Sequence, residues 1–313
     1  MKINTTCKGR FAIMSILIGL LIAAAVLVVL WMWAIAPNMN NREKLKELAK
    51  FDYAHRGLHN NQNGIPENSL KAFRLAAEAG FGMELDVQLT KDDKVVVHHD
   101  GHLQRTCGSS GVIRDLTYDE LQRYRLFGTE EGIPLFTDTL QAVGRRVPLI
   151  VEIKGYSPAE KICPLVWEIL KDYQGLYCVE SFDPRVVRWF RQHHPEVVRG
   201  QLMVKMAPSH DVSVMAAFVG TNMLMDFVTR PDFEAYDFHS RNNPSLRLAR
   251  TVFGMQEVSW TLNNPKDYET AKRDGAICIF EGFVPNEPQT DGKKSALEEA
   301  RTAAAALITV KNP

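Results

Sequence analysis

Three times in this chain an apolar, strand-like segment runs into a capping residue, a proline and a helical pattern: Ser157-Pro158, Asp183-Pro184 and Asn264-Pro265. The cap side chain accepts from a backbone N–H that has no partner in the helix, and proline at the first helical position loses no needed donor. Ser157 and Glu160 also match a capping box. The strand candidates are Phe51–His55, Gly82–Thr90, Lys94–His98, Pro148–Lys154, Leu176–Phe182, Val197–Met203, Glu257–Thr261 and Ala276–Phe280. Helical patterns lie between them at Ser69–Ala79, Thr137–Val143, Pro158–Tyr173, Pro184–His194 and Pro265–Arg273. Repeated strand–helix units predict an α/β protein with a parallel sheet. Ala207–Ser245 is rich in Met, Phe and Asp with weak periodicity; it should hold the sixth such unit, but its strand is not legible. No Gly/Ser-rich linker or charge block interrupts the chain after Phe51. The length suits one TIM-type (β/α)8 barrel, typically about 250 residues. It is placed at residues 51–285, with a C-terminal helix and tail at 286–313 that includes a packing helix from Lys293 to Ile308.

The N-terminus is different in kind. Phe11 to Ala36 is uncharged and strongly apolar. As a helix at about 1.5 Å per residue it would be about 39 Å long, enough to cross a hydrocarbon core of roughly 30 Å with tilt to spare. Trp31 and Trp33 near its end suit the membrane interface. The competing reading is a cleaved signal peptide, because Ala34-Ile35-Ala36 mimics a small-x-small site. However, the apolar run exceeds a typical signal core and Pro37 would follow the cut. The expectation is one uncleaved N-terminal transmembrane helix, a single-pass anchor in the lipid bilayer at residues 11–36. A short tail, residues 1–10, precedes it, and a juxtamembrane connector, residues 37–50, follows. Lys2, Lys8 and Arg10 precede the span, and Arg42, Lys44, Lys46 and Lys50 follow it. Positive charge therefore does not choose an orientation.

Composition excludes several classes. Lys and Arg number 37, as do Asp and Glu, so there is no basic excess for a nucleic acid. Cys7, Cys107, Cys163, Cys178 and Cys278 are scattered, without metal-type spacing or a disulfide framework, and read as packed thiols. No glycine-rich nucleotide loop is present. No protein partner can be inferred.

Chemistry concentrates at the strand ends. Glu84 and Asp86 lie two apart on one strand and share a face, while Met83, Leu85 and Val87 take the other. Two parallel acids repel and lose hydration unless a cation or strong donor compensates. Glu152 and Lys154 repeat the arrangement on Leu149–Lys154, the first strand ends at His55-Arg56, and Val95-Val96-Val97 leads into His98-His99-Asp100. In a parallel barrel all these ends converge on one mouth. Glu84, Asp86 and Glu152 make an all-oxygen site for a hard divalent cation, Mg²⁺ or Ca²⁺. His55 and His99 can share a proton-in, proton-out task, and Arg56 and Lys154 suit a phosphate oxyanion. Together these groups describe phosphoryl chemistry better than acyl or sugar chemistry. The remaining histidines, His59 among them, read as surface or packing residues. Of the adjacent His98 and His99, only one should face the mouth.

The order of these motifs resembles the glycerophosphodiester phosphodiesterase family. It runs His55-Arg56-Gly57, Pro66-Glu67-Asn68-Ser69, Glu84-Leu85-Asp86-Val87-Gln88-Leu89-Thr90, His99-Asp100 with Leu103 and Arg105-Thr106, then Glu152-Ile153-Lys154. Ser181-Phe182-Asp183 and Trp260-Thr261-Leu262-Asn263 also fit. The resemblance spans roughly Tyr53 to Pro285. It implies a TIM-type barrel, a divalent metal on Glu84, Asp86 and Glu152, and acid–base roles for His55 and His99. It selects His99 over His98, places phosphate on Arg56 and Lys154, and gives Glu67 and Asn68 supporting roles. Asn68 also suits a helix N-cap.

Two departures stand out. The segment between Gly57 and Pro66 is long and Asn-rich, and Glu281 stands where the family usually has an aspartate. The implied activity is metal-dependent hydrolysis of sn-glycerol-3-phosphodiesters to glycerol 3-phosphate and an alcohol. A second reading, motivated by the anchor, is a lysophospholipase D-type hydrolase acting on membrane lysolipids. A third is a catalytically silent membrane-bound barrel, against which stands the filling of every expected metal and histidine position.

Overall fold

The computed structural model describes residues 4–207, 213–285 and 296–308. Nine strands form one sheet: β1 (Tyr53–Ala54), β2 (Gly82–Leu89), β3 (Val95–Val97), β4 (Leu149–Ile153), β5 (Tyr177–Ser181), β6 (Arg199–Met203), β7 (Phe233–Asp237), β8 (Gln256–Leu262) and β9 (Ile277–Phe280). All but β3 are parallel, and β1 pairs with both β2 and β9, which closes them into an eight-stranded barrel.

The barrel strand missing from the sequence reading is β7, inside the unreadable stretch. Lys94–His98, expected as a strand of the parallel sheet, is instead β3, antiparallel to β2 with Val97 opposite Val87. Thr90 and Lys94 are joined by a tight turn, Thr90 N donating to Lys94 O at 3.0 Å. A parallel crossover needs a dozen or more residues, so this short connection permits only a hairpin.

Of the three cap-proline sites, Asp183 accepts from Arg185 N and Asn264 from Asp267 N, as expected. Ser157 does not cap. The helix Ala159–Leu170 starts one residue late, Pro158 occupies the cap position, and the Ser157–Glu160 box does not form. A fourth site, Asn243-Pro244, accepts from Ser245 N and Leu246 N and opens the helix Pro244–Phe253. Ser69, not Asn68, caps the helix Leu70–Glu78 by accepting from Ala72 N.

Strand alternation sorts the core into two layers. Leu149, Val151 and Ile153 of β4 face outward and pack with helix residues such as Phe73, Ile162 and Val166. Ile150, Cys178, Val198, Phe233, Val258 and Ile277 face inward and fill the barrel's lower half. The floor is stoppered by the short helix Arg42–Leu48, whose Leu45 and Leu48 join that inner cluster. Burying each such leucine contributes about 1.5–3 kcal/mol.

Asn4–Ala34 forms one helix. Among the described residues it is the helix long and apolar enough to cross a membrane, over Ile13–Ala34, and residues 13–30 are exposed throughout. Its far end is held by the barrel wall: Ile35 is buried beside Met203, Tyr236 and Leu246, with Trp31 packed against the same group. At the other terminus, the helix Ala296–Ile308 buries Ala304 and Ile308, and Arg301 Nε donates to Ala79 O at 3.0 Å. Asn60 Nδ2 donates to Leu307 O (3.1 Å) and Ile308 O (3.0 Å), so the Asn-rich loop after Gly57 is tied to this helix.

Candidate active site

The mouth of the barrel gathers every predicted site residue. Glu84 and Asp86 from β2 and Glu152 from β4 are buried, and one oxygen of each lies within 4.8 Å of the others. Their proximity follows from register, since Asp86 is the direct neighbour of Glu152 across the β2–β4 pair. Lys154, one residue beyond β4, sends Nζ to Asp86 Oδ1 and Glu152 Oε1, each at 2.7 Å.

Arg56 sits in the left-handed region (φ 53°), as does Asn68 (φ 54°). The turn at Arg56 aims its own N–H at Glu84 Oε2 (3.0 Å), and its carbonyl accepts from Asn68 N (2.9 Å). Non-glycine residues held in this region cost on the order of 1–3 kcal/mol and persist where surrounding contacts enforce them. Gly57 follows at φ 78°, where a Cβ would stand 3.0 Å from Ala72 and Phe73, so only glycine fits. The Arg56 side chain places Nε 3.5 Å from Asp86 and donates to Glu67 Oε1 at 2.8 Å. Asn68 Nδ2 donates to Asp86 Oδ2 at 2.8 Å, which is its role in place of helix capping.

Each mouth histidine is held through Nδ1 by a carboxylate. His55 Nδ1 lies 2.9 Å from Glu281 Oε2, with its Nε2 turned toward Glu84 (3.9 Å). His99 Nδ1 lies 2.6 Å from Asp100 Oδ1. The carboxylates are themselves braced. Arg105 donates to Asp100 and, through both terminal nitrogens, to Glu67 at 2.7 Å. His59 Nε2 lies 3.2 Å from Glu281 Oε1. His59, expected as a surface or packing residue, therefore stands beside the site against Glu281. His98 does not: its ring is buried between Asp100 O (2.7 Å) and Thr106 Oγ1 (2.8 Å).

Electrostatics follow from burial. Desolvation and the charges of Asp86 and Glu152 push the Glu84 carboxyl well above its usual range. Glu152 is likewise raised, to about 7, by burial and by Asp86, against the pull of Lys154. Burial works to raise Asp86 too, but Lys154 and Arg56 hold it well below the usual carboxylate range. Burial lowers both His55 and His99. One acid escaped the sequence reading. Glu180 on β5 pairs in register with Glu152, is buried, and leaves Oε2 without a hydrogen-bond partner. The signal was a lone glutamate on an apolar strand, without the charged neighbour on the same face that marked Glu152 beside Lys154. A buried group of carboxylates, offset by only Lys154 and Arg56 and with one carboxylate oxygen unpaired, is a donor set that fits a hard cation.

A model of the glycerophosphoryl diester phosphodiesterase family matches residues 55–284. A glycerophosphodiester phosphodiesterase of Bacillus altitudinis is 33% identical over 248 residues, covering 74% of this chain and 94% of the relative. Glycerophosphodiester phosphodiesterase 1 of Mus musculus is 27% identical, covering 67% and 71%. Among solved structures, the glycerophosphodiester phosphodiesterase of Thermotoga maritima superposes with a TM-score of 0.57 at 26% identity, covering 74% of this chain and 93% of that one. A phosphodiesterase of Oleispira antarctica, solved with the product sn-glycerol-3-phosphate, shares the fold with a TM-score of 0.60 at 21% identity, covering 81% and 96%. By fold, by ordered motifs and by relatives that span nearly the same length, the chain is an enzyme of the glycerophosphoryl diester phosphodiesterase family.

Proposed function

We propose that the chain hydrolyses sn-glycerol-3-phosphodiesters to glycerol 3-phosphate and an alcohol. The observation that carries this reading is the convergence of three buried carboxylates within 4.8 Å, bordered by His55 and by the cationic Arg56 and Lys154. Glu84, Asp86 and Glu152 would hold one divalent cation, Mg²⁺ or Ca²⁺, which when bound supplies Lewis-acid polarisation of the phosphate. Arg56 and Lys154 take up charge on the phosphate oxygens. One imidazole of the His55–His99 pair removes a proton from the attacking hydroxyl as its oxygen bonds to phosphorus. The other delivers a proton to the alkoxide as the old P–O bond breaks. Glu281 and Asp100 fix both rings by the Nδ1 side and leave Nε2 for proton transfer. Glu67 and Asn68 position Arg56 and Asp86. Release of glycerol 3-phosphate from glycerophosphocholine by the full chain in detergent, with and without EDTA, tests this. Full activity in EDTA, or in His99→Ala, would overturn it.

The second part of the reading is that Ile13–Ala34 crosses a bilayer and is retained. Its support is the docking of Trp31, Ala34 and Ile35 on the barrel wall, contacts that a cleaved leader would forfeit. Resistance to alkaline carbonate extraction, with the N-terminus intact by mass spectrometry, is the expected outcome.

A further inference from the structure

The path of the chain between Trp31 and Arg42 determines which end of the barrel meets the bilayer. Its contacts descend in order. Trp31 Nε1 donates to Ser245 Oγ (3.1 Å), in the first turn of the helix that leaves β7 at the mouth. Trp33 packs on Phe227 (ring centroids 5.4 Å), on the short helix Asp226–Thr229 that precedes β7. The carbonyls of Trp33 and Ala36 both accept from Arg230 at 2.7 Å. Asn38 then bonds to Pro231 O (2.8 Å) and Asp232 Oδ1 (2.6 Å), directly below β7. Arg42 reaches Phe253 O (3.0 Å), at the floor end of the helix Pro244–Phe253. The chain thus runs from mouth to floor. Upstream of Trp31, residues 13–30 are all exposed, so the long helix leaves the wall at its mouth end.

A second feature lies at the same end. The helix Val214–Thr221 ends where Thr221 Oγ1 accepts from Met206 N (3.0 Å) and Thr221 O accepts from Tyr236 Oη (3.0 Å) and Asn243 Nδ2 (2.8 Å). These partners stand at the mouth ends of β6 and β7. The helix carries no charge. Val214, Met215 and Phe218 are exposed by 72%, 69% and 58%, and Ala217 is its one buried residue. Single exposed apolar side chains are ordinary; three on one short uncharged helix mark a contact surface. Tyr156 after β4 and Phe182 after β5 add exposed aromatic surface around the same rim.

We infer that the mouth faces the bilayer crossed by Ile13–Ala34, and that Val214, Met215 and Phe218 enter the headgroup–acyl boundary of that leaflet. The occupant is lipid because the surface is uncharged and lies at the end of the barrel from which the chain's own spanning helix departs. This rests on the retained span proposed above. It also names the substrate class for the proposed site: amphiphilic diesters partitioned into that leaflet, delivered to the acidic cluster from the membrane side.

The test uses the full chain in phosphatidylcholine vesicles, with Cys7→Ser and Cys107→Ser, the other cysteines being buried. A nitroxide goes on Met215→Cys or Phe218→Cys, and on Lys46→Cys at the floor as reference. The inference expects labels at 215 and 218 to collide with oxygen and be shielded from a water-soluble nickel chelate, with the reverse at 46. Equal chelate access at all three positions overturns it. A Val214→Ser, Met215→Ser, Phe218→Ser variant should lose roughly fivefold or more of its rate on a lysolipid in vesicles. It should keep its rate on soluble glycerophosphocholine; an unchanged lysolipid rate counts against the inference. Should the parent protein hydrolyse neither diester, the proposed activity falls while the depth profile still decides the membrane contact. Should carbonate release the chain, the span itself falls.

Discussion

Glu281 Oε2 lies 2.9 Å from Nδ1 of His55, bridging the end of the last barrel strand to the end of the first. A carboxylate in this position fixes the tautomer and orientation of the ring and stabilises its protonated form. Glu281→Ala should therefore lower kcat about 10–100-fold with KM nearly unchanged. Glu281→Asp, which restores the charge on a shorter arm, should recover most of the loss. Steady-state kinetics on a glycerophosphodiester check this, and an unimpaired Glu281→Ala would remove Glu281 from the machinery.

The adjacent histidines should separate cleanly. His99→Ala is expected to cost about 10²–10⁴-fold in kcat, with a melting temperature close to that of the parent. His98→Ala breaks contacts to Asp100 O and Thr106 Oγ1 inside the fold. It should lower stability by about 1–3 kcal/mol while the folded fraction keeps its turnover. Paired denaturant melts and activity assays distinguish the two.

Divalent cation should stabilise the fold through the acidic cluster. At about one hundred times its dissociation constant, a cation that binds only the folded state contributes about 2.7 kcal/mol. Mg²⁺ or Ca²⁺ should raise the melting temperature of the parent after EDTA treatment. The shift should vanish in Asp86→Asn and in Glu152→Gln. A cation-dependent shift that survives both substitutions would place the cation elsewhere.

Acid stability should depend on Glu67. Burial works to raise this carboxyl, but hydrogen bonds from Arg105 and the charge of Arg56 hold it down at about 2. A carboxylate lowered by folding contributes stability above its unfolded value, near 4.3, and that contribution disappears as pH falls toward 2. The difference between the parent and Glu67→Gln should be at most about 3 kcal/mol at pH 6 and shrink to nothing near pH 2. Urea midpoints across that range measure it. A difference independent of pH would contradict the assignment.

Much of this architecture was legible because βα units write their boundaries in capping residues and prolines. Asp183-Pro184 and Asn264-Pro265 did so faithfully. Ser157-Pro158 misled by one residue, since a cap pattern does not say which residue leaves the helix first. The strand β7 was hidden because Phe233-Glu234-Ala235-Tyr236-Asp237 places an acid on each face, including Glu234, which is fully buried with neither oxygen paired. Hydrophobic patterning fails where a core position is ionisable. The triad Glu84, Asp86 and Glu152 was readable because two strands each carried charged side chains at alternate positions, two acids on one and Glu152 with Lys154 on the other. What braces the site was less so: Asp100 and Arg105 stood in the ordered motif without a role, while His59 and Glu180 reach the site from a loop and a neighbouring strand that only the closed barrel brings together.

The barrel closes through β1, a strand of two residues that pairs with β2 on one side and β9 on the other. This seam has a consequence for the order of events during synthesis. Tyr53 and Ala54 emerge early, directly after a hydrophobic helix, yet one of their strand partners is among the last segments of the domain to be made. Until Ile277–Phe280 arrives, β1 and β8 each keep an edge open, and His55 lacks the carboxylate that orients it. The nascent chain must hold those edges apart from neighbouring chains in the meantime. Termination ahead of Phe280 thus yields an open, edge-exposed sheet rather than a shorter enzyme.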